Sequence, residues 1–157
     1  MTNPFEHHSP SHFRHAILAA QRSGHRVLAE LLRPRGLTPA WGEVLTIIAA
    51  YGPLTIRQIS EYIICEADHP SRLISRMETK GLLRREPNPQ DRRAVLISLT
   101  EKGREDAEFV LQAEARLDTW LTQSLSERQR SEITDALEKL LKGAPEGTAL
   151  KTRYRKP

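Results

Sequence analysis

Apolar residues recur at helical spacing along most of the chain and change to an alternating pattern only once, near its middle. Phe13, Ala16, Ile17, Ala20, Gly24, Val27, Leu28 and Leu31 trace one stripe, which predicts a helix starting after Ser11 and ending at Arg33-Pro34-Arg35-Gly36. Thr38 ahead of Pro39 reads as an N-cap with proline at the first helical position. Trp41, Val44, Leu45 and Ile48 then mark the inward face of a second helix, closed by Gly52-Pro53. Leu54-Thr55 is too short for an independent strand but can pair with a later hairpin. Thr55 also caps a third helix with Ile56, Ile59 and Ile63 inward, and a fourth, from about Pro70 to Lys80, turns Pro70, Leu73, Ile74 and Met77 inward before Gly81.

The alternation follows directly. Leu82 to Glu86 and Ala94 to Leu99 read as two strands around the turn signal Pro87-Asn88-Pro89-Gln90-Asp91, which predicts a hairpin with a loop longer than two residues. Helical spacing then returns. Thr100 caps a long helix with Ala107, Val110, Leu111, Leu117 and Leu121 inward, interrupted by Glu114, and Ser126 to Gln129 forms a capping box before Ile133, Ala136, Leu137, Leu140 and Leu141. From Gly143 the sequence GAPEGTALKTRYRKP shows no period and is expected to be a disordered basic tail.

The predicted fold class is mainly α with a small β-hairpin wing: a winged helix-turn-helix head on a helical homodimerisation domain. Residues 1–36 supply an N-terminal dimerisation helix, 37–100 the DNA-binding head, 101–142 the C-terminal dimerisation helices and 143–157 the basic flexible tail. The stripes of the first and last two helices exceed what so small a head can cover, and a homodimer interface is the economical solution.

Charge sharpens this picture. The net charge of +4 on 157 residues conceals a segregation: residues 69–104 hold nine Lys/Arg against four Asp/Glu, and residues 105–150 hold five against ten. A basic head beside an acidic helical region suits a protein that approaches phosphate with one face. No apolar run nears the roughly 20 residues of a membrane span. The first residues lack the order of a secretory signal, so no membrane partner and a cytoplasmic location are expected. Zinc-protease, nucleophile-elbow and phosphate-loop motifs are absent from the sequence, and neither an enzyme nor a cofactor is expected.

A recognition helix needs short polar and forked basic side chains on one exposed face, because the major groove admits a helix and base edges are read by hydrogen bonds. His69, Ser71, Arg72, Ser75, Arg76 and Thr79 share the face opposite the apolar set. Taken alone, this helix could equally be a solvated surface helix. The hairpin decides for DNA, since Arg84, Arg85, Arg92 and Arg93 bracket its turn and a basic tip can enter a minor groove; charge that protects a sheet edge is the plainer account of the same arginines. Asp91, beside two of them, is expected to orient one by an ion pair.

These residues carry a resemblance. From Leu37 to Gly103 the chain resembles the MarR family of bacterial transcription regulators, most specifically in M-E-T-K-G-L-L-R-R at 77–85 and D-R-R-A-V-L-I-S-L-T-E-K-G at 91–103. The resemblance implies a triangular homodimer built from the first helix and the last two, bound to double-stranded DNA at a palindromic operator. It also implies that Arg93 is the minor-groove arginine with Asp91 its orienting partner and Arg92 the fallback, and that Ser71-Arg72 read the major groove. His69-Pro70 departs from the family's usual pair at the start of that helix. A small aromatic or phenolic effector is implied between head and dimer helices, and Arg14, His15 and Trp41 are lining residues by their position on those helices.

Two further signals stay open at this level. Cys65, the single cysteine, is either a small buried residue or a thiol switch between the two short helices, which would make the chain a redox-sensing regulator. His7, His8, His12 and His15 invite a metal, but Ser9-Pro10 argues against one helical face holding His8, His12 and His15, and no metal site is expected. The remaining rival to an operator-specific regulator is a nonspecific architectural DNA-binding protein.

Overall fold

The computed structural model describes residues 6–65 and 69–155. Each predicted element is present, and its boundaries follow from caps. Helix α1 spans Pro10–Leu32 and begins slightly earlier than predicted, because Ser9 rather than Ser11 caps it, its side chain accepting the His12 N–H. A single 3-10 turn, Arg33–Arg35, leads to α2, Pro39–Tyr51, whose cap Thr38 accepts the Trp41 N–H at 3.2 Å. Strand β1, Leu54–Thr55, runs into α3, Ile56–Tyr62, through a capping box in which Thr55 and Gln58 exchange hydrogen bonds. Then come α4, Pro70–Thr79, β2, Leu83–Pro87, and β3, Val95–Leu99. The long α5, Glu101–Ser124, and α6, Glu127–Leu140, complete the predicted set; the Ser126–Gln129 capping box forms as expected.

The three strands make one antiparallel sheet in the order β1-β3-β2, with Leu54 opposite Ile97 and Arg85 opposite the same residue on the other side. Two residues of β1 suffice because β3 supplies a ready edge. Helix α2 lies at the centre of the core: Val44, Leu45, Ile47 and Ile48 meet Leu32, Ile59, Ile74, Met77, Leu82, Ile97 and Val110, all buried. Each such side chain contributes about 2 kcal/mol by leaving water.

Backbone contact joins head to arm. Helix α4 ends in a Schellman turn, with Gly81 at φ 71°, its N–H donated to Glu78 O and the Leu82 N–H to Met77 O. The start of α5 lies on that turn: Thr100 donates its N–H to Leu82 O (3.0 Å) and its hydroxyl to Gly81 O (2.6 Å), and Lys102 Nζ reaches Lys80 O (3.2 Å). A Cβ on Gly103 would collide with the Leu82 carbonyl oxygen. The 3-10 turn is fastened to the same helix, since Arg35 Nη1 donates to the buried Asp106 Oδ1 at 3.0 Å while its guanidinium sits over the Phe109 ring.

Within the expected tail of residues 143–157, of which 156 and 157 lie outside the described residues, residues 143–155 depart from expectation. The predicted tail forms α7, Pro145–Arg153, packed on α3. Its period was invisible because its buried residues are the small Gly147 and Ala149, and because Arg153 is held by polar groups rather than by an apolar stripe. Helices α1, α5 and α6 follow the expectation that the head alone would not cover them. In the single chain much of their apolar stripe is uncovered, with Phe13 at 53%, Trp120 at 59% and Leu140 at 63% exposure, together with Ile17, Leu18, Val27, Leu111, Leu121 and Ile133.

Because the Leu82 contact is with backbone, no rotamer change can relieve it. Gly103→Ala is expected to lower stability by at least about 2 kcal/mol, the scale of core overpacking, read as a lower urea midpoint at unchanged slope. An unshifted midpoint would show that the α4–α5 crossing has slack.

Candidate nucleic-acid interface

Helix α4 separates its two faces as the spacing predicts. Leu73, Ile74 and Met77 are buried, and Ser71, Arg72, Ser75, Arg76 and Thr79 are exposed. His69 is the cap residue, exposed, and its side chain makes no capping bond. Pro70 at the first helical position has no N–H to satisfy, and the His69 carbonyl accepts the Arg72 N–H at 2.8 Å. The Thr79 hydroxyl is turned back, donating to Ser75 O (3.0 Å), so at the C-terminal end of this face it offers lone pairs outward rather than a proton.

The hairpin arginines divide into two pairs. Arg84 Nε donates to Glu86 Oε1 (2.6 Å) and Ser98 Oγ (3.1 Å), and the Ser98 hydroxyl donates to the same carboxylate. The Ser98 hydrogen bond, with Arg84 beside it, holds the Glu86 carboxyl below the usual carboxylate range. Arg85 Nε donates to both oxygens of Glu78 (2.9 and 3.0 Å), tying β2 to α4. Arg84, expected among the DNA-contacting residues, is thus engaged within the sheet rather than presented at the tip. Arg92 and Arg93 lie in the turn itself, exposed and without an ion-pair partner among the described residues.

Asp91 corrects a second expectation. Its carboxylate accepts the Arg93 backbone N–H (2.9 Å) and its carbonyl the Ala94 N–H (3.0 Å), with no ion pair to either arginine. A short acidic side chain reaches a backbone donor two residues on more readily than it immobilises a hydrated guanidinium, so Asp91 shapes the turn instead of aiming a side chain. Glu78 and Glu86 had no role in the sequence reading. Only three-dimensional pairing shows that they separate structural arginines from available ones.

The sensor residues fare differently. Arg14 and His15 are exposed on the first turns of α1, and Trp41 is half-buried against the core. None of them lines the two cavities where α1 meets α5, which lie two to three turns further along α1. One, of about 670 Å³, is bounded by Gln21, Arg22, His25, Leu28, Cys65 and Leu117 among others. The other, of about 390 Å³, is bounded by Val27, Leu31, Arg116 and Trp120 among others. Cys65 therefore faces the arm side of the head rather than the reading surface. Burial, then the neighbouring Glu43 charge and hydrogen bond, push its thiol up to about 12. The rings of His7, His8 and His12 cluster, His7 and His8 at 4.1 Å between centroids, and the His8 N–H is donated to His12 Nδ1. Among the described residues no group of His, Cys, Asp and Glu could hold a metal ion, and no helix is long and apolar enough to cross a membrane.

Comparison with known proteins places this geometry in a family. A profile described as a winged helix DNA-binding domain matches residues 37–103. The multiple antibiotic resistance protein MarR of Salmonella typhimurium is 31% identical over 117 residues, 74% of this chain and 79% of that protein. A cysteine-to-serine variant of Escherichia coli MarR, solved in complex with operator DNA, superposes with a TM-score of 0.72 at 28% identity, covering 81% of this chain and 91% of that one. An organohalide-sensing regulator in its 2,4-dichlorophenol-bound form shares the fold, with a TM-score of 0.75 at 22% identity over 92% of this chain and 87% of its own.

The raised Cys65 thiol has a direct readout. Since the thiolate is the reactive form, the folded protein is expected to resist alkylation near neutral pH and to label fully once unfolded. Rapid stoichiometric labelling of the native protein would restore Cys65 as a redox site.

Proposed function

The chain belongs to the MarR family of transcriptional regulators, and from that membership we propose that it is a cytoplasmic homodimeric repressor that reads one palindromic operator with two α4 helices. The observation that carries this reading is the joint exposure of a hydroxyl- and guanidinium-bearing face on α4 and of two unpaired arginines in the hairpin turn. The operator-bound relative supports it. Arg72 and Arg76, four residues apart, present forks to base edges or phosphates from one helical face, with Ser71, Ser75 and Thr79 as neutral partners and His69 at the helix start. Arg93, with Arg92 beside it, takes the flanking minor groove.

The uncovered stripes of α1, α5 and α6 support dimerisation, because apolar surface of that extent is not left to water. Two-fold symmetry then sets the α4 helices roughly 34 Å apart, one turn of B-DNA. A small aromatic or phenolic anion is the effector, held in the cavity of about 670 Å³ where Arg22 supplies positive charge beside His25 and the apolar Leu28 and Leu117. Binding there favours dimers whose heads no longer match the half-site spacing, a population shift rather than competition for DNA.

Selection from random duplexes by the purified dimer tests the reading. One palindromic site should emerge and be bound far above random DNA at fixed salt; equal affinity for both would mean a nonspecific architectural protein. Losing Arg72 or Arg76 is expected to cost about 1–3 kcal/mol of discrimination at one base position where that residue makes a bidentate base contact. Arg93→Ala should weaken binding according to minor-groove composition, and unchanged operator affinity under stringent salt would refute the wing assignment.

The dimer interface has its own test. Phe13→Glu combined with Leu140→Glu is expected to yield monomers in sedimentation velocity, with operator selectivity lost. A persistent dimer would move the interface elsewhere.

A further inference from the structure

The mechanism above leaves one buried polar cluster unused. Glu43 lies in the middle of α2, its side chain only 6% exposed, and its carboxylate takes three donors from two distant parts of the chain. Ile64 donates its backbone N–H to Oε1 at 2.9 Å and Cys65 donates its own to Oε2 at 2.8 Å. Arg153 Nη1, from the last turn of α7, donates to Oε1 at 2.7 Å, with its side chain 23% exposed. Helix α7 is pinned at this point twice over, because the Tyr51 hydroxyl donates to the Arg153 carbonyl at 2.8 Å and the Tyr51 ring stacks on Tyr62 at the end of α3.

Ile64 and Cys65 follow α3 directly and precede the cap of α4, so their backbone sets where the chain departs toward the recognition helix. Neither N–H has a helical partner there, since α3 ends at Tyr62. A buried carboxylate satisfies both, and a buried carboxylate needs a cation to offset its own desolvation. The cation comes from a helix outside the winged head, 110 residues further along. Glu114 of α5 stands near the same guanidinium, its carboxyl raised by burial, so the arm's long helix borders the cluster as well.

We propose that Arg153 and Glu43 are positioning residues for operator reading: α7 acts as a strut that, through the Glu43 carboxylate, fixes the exit of the chain from α3 and thereby the placement of α4 on the head. The inference rests on the operator-reading function proposed above. It extends that function to a C-terminal helix that touches no DNA, and it makes residues 145–153 a determinant of base selectivity.

Arg153→Ala, Arg153→Lys, Glu43→Gln and Arg155→Ala can be compared on the selected operator and on random duplex at one salt concentration. Arg155 is exposed just beyond the C-cap of that helix and serves as the charge-matched control. Arg153→Ala is expected to lower the operator-to-random affinity ratio about five- to fiftyfold, the usual scale of coupling between separated sites. Glu43→Gln should do likewise, Arg153→Lys should recover part of the ratio, and Arg155→Ala should change affinity for both duplexes alike. Native-state exchange of the Ile64 and Cys65 amides should quicken in Arg153→Ala while amides of α2 and α5 stay protected, which separates a local release from general unfolding. An unaltered ratio with a parent protein that does select an operator would overturn the strut and leave the DNA reading intact. A parent that selects no operator would overturn both. Equal losses on operator and random DNA, matched by Arg155→Ala, would reduce Arg153 to one more positive charge.

Discussion

The Leu82 carbonyl, pressed against Gly103, is the contact on which the placement of every other part depends. It is backbone against backbone, at the one point where the end of α4, the start of the wing and the start of the long helix α5 coincide. Thr100 closes the junction with bonds to Gly81 and Leu82, and Lys102 adds one to Lys80. Three consecutive carbonyls just beyond α4, those of Lys80, Gly81 and Leu82, are thus tied to Thr100, Lys102 and Gly103 at the start of α5, and the Leu82–Gly103 contact has no side-chain rotamer to absorb a displacement. Head and arm turn together. In the proposed mechanism of release, a ligand beside Leu117, fourteen residues beyond Gly103, acts on a lever about 21 Å long at the helical rise per residue.

Electrostatics repeats this arrangement at lower strength. Two buried carboxylates, Asp106 in the arm and Glu43 in the head, each draw an arginine from outside their own element: Arg35 from the turn after α1, Arg153 from α7. Breaking such a pair leaves an uncompensated charge out of water, at a cost of about 3–5 kcal/mol, so each fixes a relative placement more firmly than an exposed pair would. On the outer surface the same chemistry selects which cations remain free. Glu78 and Glu86 hold Arg85 and Arg84 to the sheet, and Arg92 and Arg93 are left for an external anion. Four arginines within ten residues would be an indiscriminate patch. Two carboxylates in the right places make it a directed one.

Much of this was legible in the sequence, for reasons that are local. Proline, threonine and serine caps at Thr38, Thr55, Thr100 and Ser126 act within one turn of their own position, and the helices they open form where predicted. The alternation at Val95 to Leu99 and the polar face of α4 are equally short-range, and the M-E-T-K-G-L-L and L-T-E-K-G strings stand out because the two segments must touch. What stayed hidden was long-range or small. Helix α7 buries Gly147 and Ala149, which leave no periodic signature. The Arg85–Glu78 and Arg153–Glu43 pairs join residues whose spacing carries no signal. Asp91 was given an ionic role when a backbone donor two residues away was the nearer partner. Arg14, His15 and Trp41 do not line the cavities where α1 meets α5, since sequence fixes a residue's face more readily than the depth at which two helices separate.

These constraints leave few ways for the protein to change shape. The head is locked internally by the α4–α5 crossing and the Arg85–Glu78 tie, and α7 closes its remaining side. The arm is the reverse: α1, α5 and α6 carry apolar stripes that one chain does not cover, so their packing is completed only by another surface, and the stability of the whole then depends on protomer concentration. In the proposed dimer, a rigid head on an arm completed by its partner would have essentially one soft coordinate, the separation of the two heads. Palindromic DNA fixes the required value of that coordinate through its helical repeat. A ligand therefore need not touch the reading surface or disorder it. A small change where α1 meets α5 alters the spacing and leaves each head intact, which is why the cavities at that junction, rather than any on the head, are the physically favoured place for control.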